Sequence, residues 1–353
     1  MLKILASLIV FVFLIPYTAS LYNGLSRLFG MAFHLDYTVC IVVMAVLTGI
    51  YVIAGGYMAT AINDFIQGCI MIIGIIAVIA SVLKSNGGFM QAIDALARVE
   101  DAQATSTPGA FASFFGPDPF GLLCVVILTS LGTWGLPQMV QKFYAIKDEK
   151  SIGKGTLIST IFAIIVAGGC YFLGGFGRLY DIDIAAQGYD AIIPAMIEKL
   201  SPLLIAVVVI LVLSASMSTL SSLVLASSST LTLDMIRGTI VKEMTEKKQV
   251  FIMRIFIVVF IAISAVIAVV QYKSGVTFIA QLMGISWGAL AGAFLAPFIY
   301  SLYWKGVTKA AVLVNFLFGS GIMVANMLAR ASFPTVLQSP INCGACLLYT
   351  SDA

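Results

Sequence analysis

Ala215, Ser218 and Thr219 stand at i, i+3 and i+4 in the run SASMSTLSSLVLASSSTLTLD, residues 214–234, which follows directly on PLLIAVVVILVL. On an α-helix this spacing brings the Ala215 carbonyl and two hydroxyls onto one face. Hard cations take oxygen ligands, and extending that rule from calcium and magnesium to Na⁺ asks for no paired carboxylate, because the ion carries one charge. Roughly two more oxygens from a facing helix would complete such a site. The competing reading is packing: small residues let membrane helices approach, and Ser and Thr bond across the contact at about 0.6 kcal/mol each. For most of the eleven hydroxyls in the run, including Ser221, Ser222 and Ser227 to Ser229, packing is the expectation.

Asp64, in GGYMATAINDFIQGCIMIIG, is the second residue with chemical potential. An ionisable group at membrane depth is costly and usually lines an ion or proton path. Its alternative is a helix N-terminal charge held by the dipole at the water boundary. A third feature is LTSLGTWGLPQMVQKF, where Gly132, Gly135 and Pro137 interrupt an apolar helix near its middle. Pro137 has no N–H and clashes with the preceding turn, so carbonyls around Thr133 are expected to lose their regular partners. In secondary transporters such breaks face substrate or ion at the midplane; a proline kink tolerated by neighbouring helices is the plain alternative. Broken helices of this kind come in pairs, and no second one is legible at a matching place.

The elements that must position these residues follow from composition. With 61% hydrophobic residues, 10% charged and a mean hydropathy of +1.07, the chain lies outside the soluble range, where about a quarter of residues are charged. Apolar runs recur along the whole length, so this is an integral membrane protein. Runs of about 20 apolar residues place nine spans near 3–29, 37–56, 60–83, 120–144, 155–179, 202–232, 251–271, 279–304 and 307–328. They are too long for barrel strands, and lipid leaves no other way to satisfy the backbone, so the fold class is all-α, a polytopic helical bundle. With the N-terminus inside, twelve Lys and Arg fall on the cytoplasmic side against seven outside, which sets the orientation. The net charge of +3 therefore reflects topology, and no clustered basic face for nucleic acid is present.

Two connections, 84–119 and 180–200, fall outside and are long enough for short surface helices or an external gate. The six cysteines are scattered through apolar spans and form no disulfide framework, and CGAC at 343–346 lacks a second ligand pair. His34 sits in a short solvated loop, and GALAG at 288–292 fits a helix-packing face. Nothing reads as an enzyme: the spans offer no nucleophile–base pair and no metal-ligand cluster.

Four stretches, GGYMATAINDFIQGCIMIIG, LGTWGLPQMVQKF, SASMSTLSSLVLASSSTLTLD and GISWGALAGAFLAPFIYSLYW, resemble the solute:sodium symporters, the family of sodium/proline, sodium/pantothenate and sodium/glucose transporters. The similarity runs from about residue 3 to about residue 345. It implies a leucine-transporter-type inverted-repeat fold and sodium-coupled symport of a small organic solute across the cytoplasmic membrane by alternating access, with Na⁺ as coupling ion. It also implies that Ala215 supplies a carbonyl and Ser218 and Thr219 supply hydroxyls to one Na⁺, and that Asp64 lies on the sodium path. Tyr17, Thr129, Thr133 and Trp134 fall where relatives line the substrate cavity. A symporter-derived membrane sensor or regulatory domain is the alternative. Relatives carry about three helices before the one that begins here, including the other broken helix, so the chain reads as a fragment. Residues 1–345 are expected to be a partial transport domain, and 346–353, within CLLYTSDA, a non-native tail resembling translated adapter sequence.

Overall fold

The computed structural model describes every residue except 102–104, 145, 181, 184–187, 242, 276–278 and 351–353, together with all side chains except those of 56–61, 238 and 347–350. Asp181, Lys242 and the last three residues of the expected tail therefore lie outside the described residues. Among the described residues the ordered elements are helices: α1 (Leu2–Phe33), α2 (Tyr37–Ser85), α3 (Phe89–Ala97), α4 (Pro119–Ser130), α5 (Pro137–Phe143), α6 (Glu149–Gly175), α7 (Ile192–Glu198), α8 (Pro202–Ser229), α9 (Glu246–Ser274), α10 (Ile279–Tyr303), α11 (Lys309–Leu328) and α12 (Pro340–Thr350). Eight of their segments are long and apolar enough to cross a membrane, and the bent pair α4–α5 makes a ninth. The protein is a multi-pass membrane bundle. α2 holds two of the crossings, Tyr37–Gly55 and Ile62–Ser85.

α1 and α10 form the centre. Over their most apolar windows they are 56% and 67% buried, against 11% for α6. Leu14, Tyr22 and Leu25 of α1 pack in one cluster with Leu220 and Leu223 of α8, Phe260 of α9 and Leu290 of α10. Some of the polar residues inside this core are accommodated by bonding back to their own helix, which spares them a partner elsewhere. The fully buried Thr18 hydroxyl donates to the Leu14 carbonyl at 3.0 Å, and that of Thr48 to Met44 at 2.7 Å.

The sixth span outlasts its expected end at 232. After α8 the chain continues as a π-helix over Thr230–Ile240. Hydroxyls support the changeover: Thr230 donates to Ala226 at 2.6 Å and Thr232 to Ser228 at 2.8 Å, while Ser7 of α1 reaches the Thr230 carbonyl at 3.3 Å. The fifth span starts earlier than expected because Asp148 caps α6, accepting from the Ser151 N–H at 2.8 Å.

Glycines govern the packing of α10. A Cβ on Gly319 of α11 would collide with the Gly292 backbone, and one on Gly288 would stand 2.8 Å from Gly344 Cα of α12. The GALAG segment is thus a close-approach face, as its small residues predict. Asn315 seals the first crossing by donating to the carbonyls of Gly292 and Ala293 at 3.0 and 2.7 Å.

Both long connections carry short helices. In the second, Asp190 ties three elements together: its carboxylate lies 3.7 Å from the Arg27 guanidinium of α1, and both oxygens accept from the Ile279 N–H that starts α10, at 3.2 Å. Tyr37 closes the cluster, donating to Asn23 Oδ1 at 2.7 Å and stacking on Tyr272 of α9 with centroids 3.6 Å apart. Burial raises the Asp190 carboxyl above the usual carboxylate range, with Arg27 and the Ile279 N–H opposing the rise. Docking of this connection therefore favours the protonated acid, so its contribution strengthens as pH falls through the raised value and is lost as pH rises. Hydrogen exchange of residues 188–198 checks this. Asp190→Asn should keep protection and flatten its pH dependence, whereas Asp190→Ala should lose about 1–3 kcal/mol of local protection. Equal pH profiles in the parent and the Asn variant would refute the assignment.

Candidate cation site beside a broken helix

α8 forms because an apolar run with Pro202 at its first turn is followed by residues whose hydroxyls need no partner outside the helix. Ser218 Oγ donates to the Ala215 carbonyl at 3.2 Å and Thr219 Oγ1 to the same oxygen at 3.0 Å. The three oxygens expected to converge do so. Donating its proton does not consume the lone pairs of a hydroxyl oxygen, so Ser218 Oγ and Thr219 Oγ1 remain able to face a cation, whereas the Ala215 carbonyl already accepts both hydroxyls and would be open to an ion only once they turn away. All three residues are half-buried. Among the described residues no group of three or more His, Cys, Asp or Glu is placed to hold a metal ion; what α8 offers is a neutral oxygen set.

For the other hydroxyls the packing expectation divides: Ser221, Ser227 and Ser228 are buried, as small residues at a helix contact would be, but the bonds stay inside α8. Ser221 and Ser222 both donate to the Ser218 carbonyl, at 3.0 and 3.1 Å, Ser227 to Val224 at 3.1 Å, and Ser229 to Ala226 at 3.3 Å. They bond within α8 and not across a helix contact. The reason is geometric: an i−3 or i−4 carbonyl is always within reach, while a partner on a neighbouring helix must be supplied.

The interrupted span breaks where Gly132, Gly135 and Pro137 place the break. α4 ends at Ser130, a 3₁₀ turn covers Gly132–Gly135, and α5 leaves at 52°. The Thr133 carbonyl has lost its regular i+4 partner, since Pro137 has no N–H, and accepts instead from the Leu136 N–H at 3.2 Å through the tighter turn. Gly135 permits the break to lie against α10, since a Cβ there would stand 2.8 Å from the backbone nitrogen of Leu295. Thr129 and Thr133 turn their hydroxyls to Val125 and Ser130, at 2.7 and 2.9 Å.

The four candidate substrate residues are not gathered equally. Tyr17 is buried in the centre, edge-on to Trp287 of α10 with ring centroids 5.5 Å apart. Trp134 is 58% exposed. Trp287 is a residue that sequence reasoning missed: its indole N–H is buried and turned toward the Tyr17 hydroxyl without closing a hydrogen bond of good geometry. Gln138 is another, 4% exposed on the first turn of α5 with both amide atoms unpartnered. An amide directly after a span-breaking proline, and a lone Trp among Gly, Ala and Ser, were the available signals.

Asp64 is half-buried, and its Oδ1 is buried with no hydrogen-bond partner, as is Gln67 Oε1 one turn on. Lys142, near the end of α5, is the cation whose field acts on it. The helix that follows the break and the acidic residue thus belong to one neighbourhood, which their spacing in sequence did not reveal.

Comparison with known proteins gives a consistent picture. A family model described as the sodium:solute symporter family matches residues 1–319. A sodium/proline symporter of Staphylococcus saprophyticus is 29% identical over 329 residues, covering 91% of this chain and 62% of the relative. The osmoregulated proline transporter of Bacillus subtilis is 27% identical over 92% of this chain and 64% of its own length. This chain therefore spans less than two thirds of the length of either relative. Among solved structures, a Na⁺-coupled sialic acid symporter in a substrate-bound outward-open state superposes with a TM-score of 0.68, at 18% identity, over 99% of this chain and 73% of that one. That likeness establishes the shared fold.

Proposed function

Because the chain belongs to the sodium:solute symporter family, we propose that it works in sodium-coupled uptake of a small organic solute by alternating access, with no catalytic step of its own. The observation that carries the reading is the oxygen set at Ala215, Ser218 and Thr219, in which two hydroxyls and a carbonyl meet on one turn of α8. Na⁺ is the cargo that drives the cycle. Moving one charge down the membrane potential releases about 2.3 kcal/mol per 100 mV, and an ion that binds one conformation better than the other can spend that energy on the solute. Asp64, whose buried Oδ1 has no partner and which feels the charge of Lys142, is the residue for the ion's passage to the cytoplasm. On this reading the basic connections face the cytoplasm across the plasma membrane, and residues 1–345 are part of the transport domain.

Proline is the first solute to test, since the curated relatives are named for it. The complete gene product in proteoliposomes should accumulate labelled proline, or another small zwitterion in competition with it, when an inward sodium gradient is imposed. Accumulation that persists unchanged with potassium replacing sodium would reject the reading.

Tyr17 and Trp287 are proposed as the aromatic wall of the solute cavity. Trp287→Phe keeps the edge-on ring contact and removes the unpartnered N–H. It should raise the KM for solute about five- to tenfold, the scale of one lost hydrogen bond, with sodium activation unchanged. An unaltered KM would remove Trp287 from the wall.

A further inference from the structure

The connection between α2 and α4 is a built cap. Ala92 of α3 is buried in the cluster that holds Val82, Phe176 and Met196, with Ile93 packed against it, and Leu96 is buried as well. Arg178, just beyond α6, donates to Asp101 at 2.7 Å and lays its guanidinium 4.0 Å from the centroid of the Phe111 ring. Phe89 stacks on Phe172 of α6 with centroids 6.1 Å apart, and Phe172 meets Phe176 edge-on at 5.1 Å.

These contacts hold a segment whose other side is apolar and bare. Phe114 is 91% exposed, Met90 70%, Phe115 64% and Phe89 48%. Phe114 and Phe115 brace each other edge-on at 5.2 Å. A patch of this kind is expensive in water and marks a contact surface. Its continuity identifies the contact: through Phe172 it runs into the exposed outer end of α6, where Tyr171 is 61% exposed on a span that is itself almost unburied. Exposed Lys84 and Arg98 flank α3 at its two ends, where long basic side chains can reach phosphate while their stems lie on apolar surface. Aromatic rings at headgroup depth beside such cations are the usual membrane-interface arrangement.

We propose that α3 and the Phe114–Phe115 turn are an interfacial membrane anchor, with α3 lying in the plane of the bilayer surface and both aromatic points seated at the boundary of phospholipid headgroups and acyl chains. The anchor shares its buried cluster with Met196 and Ile197 of α7, in the connection that carries Asp190. Lipid contact thus fixes the height of the cap beside that connection.

The test uses Phe114→Trp and, separately, Met90→Trp in the complete chain, reconstituted in phosphatidylcholine vesicles. The native emission of Trp134, Trp287 and Trp304 is subtracted using the parent. Leu157→Trp, on the exposed face of α6, serves as the lipid-facing reference. The added emission should be blue-shifted, quenched at least twofold by phosphatidylcholine brominated near the headgroup end of its chains, and insensitive to iodide. Iodide quenching without bromolipid quenching at both positions would show a solvated loop and overturn the proposal. A blue shift that neither quencher touches would overturn it as well, because the patch would then be covered by protein or by a second copy.

Discussion

Thr219→Ala is expected to lower the apparent sodium affinity of uptake at least tenfold in the complete gene product, and Ser218→Ala nearly as strongly. Each substitution removes one of three oxygens converging on a half-buried turn of α8. Leaving a buried charge short of a ligand costs about 1–3 kcal/mol, which is roughly five- to 150-fold in affinity at 1.4 kcal/mol per decade. Thr219→Ser keeps the hydroxyl and should stay within about threefold of the parent, a residue of under about 1 kcal/mol. Ser227→Ala, which removes a buried hydroxyl bonded only to Val224, should leave sodium activation alone. Membrane insertion, judged by expression and monodispersity, should be intact in all four. Sodium curves indistinguishable from the parent's in both alanine variants would mean that the ion binds elsewhere.

The second large effect concerns stability. Gly319→Ala places a methyl group against the Gly292 backbone, where no side chain can move aside. Overpacking of a fixed contact costs about 1–3 kcal/mol, and backbone on both sides puts this one at the upper end. The same shift would pull Asn315 off the Gly292 and Ala293 carbonyls. Thermal unfolding in detergent should fall by roughly 5 °C or more. Gly321→Ala, two residues on and facing open space, should be neutral or gain up to about 1 kcal/mol from helix propensity. If the two variants melt together, the close crossing of α10 and α11 is not as drawn.

The crossings were legible in the sequence because lipid imposes a single rule, that about 20 apolar residues must satisfy their own backbone. The break was legible because Gly132, Gly135 and Pro137 act locally. Convergence of Ala215, Ser218 and Thr219 followed from helix geometry alone. What failed to show needed a third dimension. Helix spacing tells which hydroxyls share a face but not whether they turn back to an i−3 or i−4 carbonyl, and Ser221 and Ser222 do so. Tyr17 and Trp287 are separated by most of the chain, and Arg27 and Asp190 by nearly half of it, so no local pattern could pair them. The 3₁₀ rescue of the Thr133 carbonyl and the wide turns of residues 230–240 depend on which alternative hydrogen bond lies nearest once the helix has ended.

The Ala215 and Ser218 carbonyls each accept two side-chain hydroxyls. Side-chain donors that compete for a helical carbonyl loosen the backbone ladder and often bend it. α8 is therefore a weaker rod along the very turns where the candidate oxygens lie, and a cation that engaged those hydroxyls would relieve the competition and stiffen it there.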